Sequence, residues 1–202
     1  MARRPAVIPM SNSSQAILPQ DVKPTVLPDA FLDSATAIAV ASFHMPRFCD
    51  LPRMALYRDQ VITYIEQVFE PLGAPNSEPW ITGAMINNYV KSGLIPAPVK
   101  KQYGRAHIAR LLLVCVFKQF LPISAIQSLF TIQKMTYPDD VAFNYVATEL
   151  ENALMTTFGQ AETLPDSASM VTRESLLVRS AVSAFAAKAF LLSYLEFSGI
   201  ER

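Results

Sequence analysis

Residues 81–118 read ITGAMINNYVKSGLIPAPVKKQYGRAHIARLLLVCVFK, and this stretch decides the reading of the whole chain. Thr82 has the side chain of a helix N-cap, because its hydroxyl can accept from a free N–H of the first turn. Met85, Ile86, Tyr89 and Val90 then recur at helical spacing, and Gly93 supplies the usual stop. The spacing predicts a helix over about 82–92 that turns Asn87, Asn88 and Lys91 away from its apolar face. Pro96 and Pro98 exclude a helix in the next segment, so 99–103 reads as an extended basic stretch. A second helix is expected from 105 to 120, with Ile108, Leu111, Leu112, Cys115, Val116 and Phe120 as its core face.

Charge marks the same region. No Asp or Glu stands between Glu78 and Asp139, while Lys91, Lys100, Lys101, Arg105, Arg110, Lys118 and Lys134 all do. The chain holds 17 basic and 17 acidic side chains, so the other ten basic residues face 17 acids and the rest is net negative by seven. Positive charge gathered this way presents a basic face to an anion, most commonly nucleic acid, or else forms a solvated lysine-rich face.

Outward from this centre the pattern is helical. Hydrophobic residues make up 51% of the 202, charged residues 17%, and there are only six glycines. Such a composition favours helices and leaves apolar surface over for a partner chain. Pro5, Pro9, Pro19, Pro24 and Pro28 break up residues 1–28, which read as an arm able to dock through its apolar residues. An alanine-rich helical segment from 29 to 46 follows. In 51–73, Leu56, Gln60, Ile62, Tyr64, Ile65, Val68 and Phe69 outline a helix of about four turns closed by Pro71 and Gly73. Pro122 opens a short helix, 123–130. Tyr137-Pro138-Asp139-Asp140 is a strong start for a helix reaching Phe158 along Val141, Tyr145, Val146, Leu150 and Leu154. The last helix, 172–198, is apolar around much of its girth, so it is either central to the core or shared with another subunit.

Several function classes find no support. His44 and His107 have no Cys, Asp or Glu at ligand or triad spacing, and no Walker loop, nucleophile elbow or Rossmann glycine pattern occurs. No catalytic residue, metal site or cofactor is therefore expected. Cys49 and Cys115 stand apart and read as buried thiols in a reducing compartment. The proline-broken N-terminus and the absence of about 18 uncharged apolar residues in a row predict no signal peptide, no spanning helix and a cytoplasmic address.

Met85-Ile86-Asn87-Asn88-Tyr89-Val90-Lys91, Gly93-Leu94-Ile95-Pro96, Lys100-Lys101-Gln102-Tyr103 and His107-Ile108-Ala109 together resemble an uncharacterised bacterial domain family of unknown function. The upstream run from Leu56 to Val61 resembles its second signature, with Arg58 where Met is usual. More distantly, Ile86, Tyr89, Lys91, Gly93, Leu94, Pro96, Tyr103, Ile108, Ala109 and Leu111 are similar to the DNA-binding domain of MerR-type regulators. Asn87 and Asn88 replace the usual arginine and first tyrosine, Gly104 the usual capping Ser or Thr, and the link 71–80 exceeds a tight turn. The resemblance implies an all-α fold: a MerR-like winged helix-turn-helix over 29–135, with room for a small two-stranded wing, then C-terminal helices over 136–202. It implies a transcriptional regulator binding double-stranded DNA through Thr82, Asn87, Asn88, Lys91, Lys100, Lys101, Tyr103 and Arg105, with a recognition helix at about 82–92 and a basic wing at about 96–104. Lysine and arginine suit phosphates and paired Asn amides suit adenine edges. The same amides could instead bond to backbone, and the two tyrosines could pack inward. A homodimer through the C-terminal helices would match a palindromic site. The alternatives are a non-catalytic protein-interaction module on the same fold, or an effector-sensing regulator with an apolar pocket.

Overall fold

The computed structural model describes residues 29–74, 78–159 and 166–199. The expected arm, 1–28, and most of the polar loop after Gly159 lie outside them. Among the described residues, eight α-helices and two short strands follow in order: α1 (Asp29–Leu32), α2 (Ala35–Ala41), β1 (Leu56–Tyr57), α3 (Arg58–Phe69), α4 (Gly83–Lys91), β2 (Gln102–Tyr103), α5 (Arg105–Phe117), α6 (Ile123–Thr136), α7 (Asp139–Phe158) and α8 (Arg173–Phe197). The fold is all-α with one small antiparallel sheet, as the sequence predicts.

Local signals explain most boundaries. Thr82 caps α4, its hydroxyl accepting from the Met85 N–H at 3.2 Å. Gly93 stops the helix at φ +74°, a conformation L side chains rarely adopt. Asp139 and Asp140 open α7, and Gly159 closes it. Thr172 and Ser175 bond reciprocally to open α8.

Four differences from the sequence reading have local causes. The 29–46 segment splits in two, because Ser34 leaves the helix to cap α2 through the Ala37 N–H. Leu56 is not on the α3 face but in β1, opposite Tyr103, and Val61 takes its place inside. The helix after Pro122 continues to Thr136, because nothing stops it before Tyr137-Pro138. Val141 is exposed and Phe143, two positions on, is buried in its stead.

α5 is the central helix. Every residue from Ile108 to Phe117 is buried, which requires neighbours on all sides. α7 packs against α2, α5, α6 and α8, and a single cluster of buried side chains runs from Phe31 to Ala186. Aromatic rings tie it together at both ends. Phe31 sits among Phe158, Phe190, Tyr194 and Phe197 with centroids 5.3–6.4 Å apart. Phe69 stacks between Phe43, at 6.0 Å, and Trp80, at 4.4 Å. Burying each such ring contributes roughly 1.5–3 kcal/mol. α8 has the length and hydropathy to cross a bilayer. Here it lies along α7, with Val182, Phe185 and Ala186 inside and Leu176, Leu191, Leu195 and Phe197 exposed.

Candidate functional site

The acid-free region folds into a helix face and a hairpin tip. Ile86 and Tyr89 anchor α4 to the core, which turns Asn87, Asn88 and Lys91 to solvent. Neither Asn side chain bonds to any described residue, so their amides are available to a ligand. Lys91 lies in the last turn of α4, where the helix dipole favours a cation.

The segment 99–103 is not extended throughout, which corrects the sequence reading. Val99 and Gln102 exchange backbone hydrogen bonds of 3.1 and 2.9 Å across a two-residue turn. Lys100 and Lys101 occupy its tip at φ +50° and +64°. Such a turn needs positive φ at both central residues and usually takes Asn-Gly. Two lysines there carry backbone strain of about 1–2 kcal/mol each, and strain of this kind collects at functional positions. Beyond the turn, β2 pairs with β1, Tyr57 opposite Gln102 and Leu56 opposite Tyr103.

Arg58 was not among the expected contacts, yet its guanidinium lies over the start of α4, with Nε 3.2 Å from where a Gly83 Cβ would sit. Asp59 is its ion-pair partner at 3.4 Å. Its place inside the upstream signature, an arginine where Met is usual, was the signal available in sequence.

The remaining basic residues separate by burial. Arg105 is half-buried, its guanidinium 5.8 Å from the centre of the Phe48 ring and its Nε without a partner. Arg110 is 9% exposed and lies over Phe130. Lys118 turns inward and donates to the Trp80 carbonyl. The seven-charge face inferred from sequence therefore loses Arg110 and Lys118 to the interior. Lys134 is exposed on α6. Thr82 is occupied as a cap, and Tyr103 is buried with its ring edge-on to His107 at 5.8 Å. His107 itself secures the start of α5, its Nδ1 accepting from the Gly104 N–H at 3.2 Å. Of the acid-free stretch's polar groups, Asn87, Asn88, Lys91, Lys100 and Lys101 remain exposed, and so does Arg58 at the start of α3. Burial pushes the hydroxyl of Tyr89, behind α4, up to about 12, so it stays a neutral donor across the physiological range.

A family model described as a domain of unknown function, DUF1836, matches residues 46–150, more than half of the chain. The chain belongs to the DUF1836 family. The matched segment begins ahead of β1, runs through the first twelve residues of α7 and holds every residue of the candidate site. DUF1836 therefore includes the hairpin and α4, and stops short of α8. No curated protein and no solved structure matches the chain. Among the described residues, no group of three His, Cys, Asp or Glu side chains is placed to hold a metal ion.

Proposed function

We propose that this protein is a DNA-binding transcriptional regulator of MerR-like winged helix-turn-helix type. One observation carries the reading: the acid-free stretch 79–138 presents both two exposed Asn amides on α4 that bond to no described residue and a two-lysine turn held at positive φ. Lys91, Lys100 and Lys101 neutralise phosphates, and the hairpin acts as the wing. Asn87 and Asn88 read base edges in the major groove, a bidentate amide pair discriminating by about 1–3 kcal/mol. The order strand, helix, helix, hairpin, with β1 closing on β2, supports the winged arrangement. The outward pair Leu191 and Leu195, one turn apart on α8, suits a second copy, and a two-fold dimer would read a palindromic site in the cytoplasm.

The test is fluorescence anisotropy with random duplex DNA across a salt series from about 50 to 200 mM. Binding should weaken steeply with salt, and replacing Lys100 and Lys101 by Ala should flatten the log–log slope by about 1.8, or 0.9 per lost phosphate contact. Asn87→Ala with Asn88→Ala should leave the slope and erase preference among sequences. Absence of salt-dependent binding refutes the proposal. A second reading, an interaction module receiving an acidic protein segment, is favoured by the inward turn of Arg110 and Lys118, which leaves a smaller positive surface than the composition implies. It predicts capture of an acidic partner without DNA affinity.

A further inference from the structure

A chamber of about 410 Å³ opens between α5, α6, α7 and the first turns of α8. This size falls in the range of small-molecule sites. Its walls are mainly apolar, with Leu113, Phe117, Phe130, Val146, Leu177 and Val178 prominent. Arg110 projects from α5 into this lining. Its guanidinium lies 5.3 Å from the centre of the Phe130 ring, and its nearest carboxylate oxygen, Asp139 Oδ1, is 3.6 Å from Nη2. That separation exceeds a hydrogen bond, and no described residue accepts one from Arg110. A guanidinium carries five donors in a planar fork and never loses its charge in a protein. A guanidinium packed among apolar walls, ion-paired only loosely with Asp139 and hydrogen-bonded to no described residue, keeps donors for an anion to engage.

We propose that this chamber binds a small monocarboxylate with a hydrocarbon body, its carboxylate on the Arg110 fork and its chain among the apolar walls. The bidentate match between guanidinium and carboxylate supplies orientation, and the walls supply desolvation. The other charges fit this polarity. Asp139 is 45% exposed and held by Gln133 Nε2 at 3.3 Å, so it can turn to solvent as the ligand enters. Glu174, on the rim, is engaged by Arg173 and Thr136. Asp139 is then the internal competitor of the ligand, and removing its charge should strengthen binding. The proposal stands apart from the DNA reading, since binding is measured without DNA.

The test uses the full chain with decanoate, decanol and 3-phenylpropionate, followed by titration calorimetry and thermal unfolding. The expected result is saturable one-to-one binding of a carboxylate with a raised Tm, and decanol at least tenfold weaker than decanoate. Arg110→Met should lose at least tenfold in decanoate affinity while leaving decanol unchanged, and Asp139→Asn should bind decanoate severalfold tighter. Should Arg110→Met fail to fold, Leu177→Trp carries the test: it narrows the chamber from α8 and leaves the cation, and unchanged affinity in it overturns the proposal. No saturable binding of either carboxylate, or equal binding of decanol, also overturns it. A second copy covering the exposed Met170 at the mouth is the alternative occupant. No carboxylate binding, with a dimer that Met170→Asp breaks, would assign this face to self-association.

Discussion

Replacing Lys100 by Asn and Lys101 by Gly separates the two things the hairpin tip does. Both lysines sit at positive φ, +50° and +64°, in a two-residue turn that Asn-Gly fits best. Releasing an L side chain from the left-handed region recovers about 1–2 kcal/mol per residue. Glycine returns about 0.5–1 kcal/mol of that through its greater freedom in the unfolded chain. Asn keeps part of its own strain, so the net gain is about 1 kcal/mol, the lower end of the combined range. For a chain of this size that is a rise in Tm of about 2–4 °C. Two positive charges vanish at the same time, so DNA affinity should fall and its salt slope should flatten by about 1.8. The control is Lys100→Ala with Lys101→Ala, which loses the same charges but keeps side chains in the strained region. Thermal unfolding and DNA anisotropy on the two double variants give the answer. The reasoning fails if the Asn-Gly form is no more stable than the Ala-Ala form, because the tip would then hold no strain to release.

Three further outcomes follow from the same geometry. Thr82→Ala removes the cap on α4 and should destabilise the protein by about 1 kcal/mol, measured by urea unfolding, with Thr82→Ser close to the native value. Glu151 accepts from the Met45 N–H at 2.8 Å and from both Arg47 terminal nitrogens at 2.8 and 2.6 Å, with His44 Nδ1 3.0 Å away. Glu151→Ala should therefore cost about 2–4 kcal/mol on denaturant unfolding, since it strands a partly buried guanidinium as well as a backbone donor. Cys115 is wholly buried, and burial pushes its thiol from 9.0 up to about 12. Maleimide at pH 7 should label the exposed Cys49 alone until the chain is unfolded. Because the folded thiol holds its proton where the unfolded one releases it, its contribution is intact below pH 9 and declines as pH rises towards 12. A Cys115→Ser variant should lose that part of the alkaline decline in a pH series of unfolding free energies.

What the sequence by itself determined is whatever rests on neighbours in the chain. Thr82, Gly93, Pro138-Asp139 and Thr172 place helix ends through bonds that span three or four residues, so α4, α7 and α8 were legible almost to the residue. The outward face of α4 followed from helical spacing alone, because Ile86 and Tyr89 must point inward together. Tertiary structure decided the rest. A Lys-Lys pair has no turn chemistry, so only the folded chain, with Val99 bonded to Gln102 and Leu56 paired to Tyr103 from 47 positions away, shows the reversal there. Counting charges cannot reveal that Arg110 lies over Phe130 or that Lys118 reaches the Trp80 carbonyl, since both partners come from other elements. The chamber behind Arg110 exists only once four helices enclose it, and one of them, α6, runs a turn and a half further than its own pattern announces. Local hydrogen bonds are encoded by adjacent residues and survive any fold. Burial is a property of the whole chain, and it alone assigns each cation to the surface or to the interior.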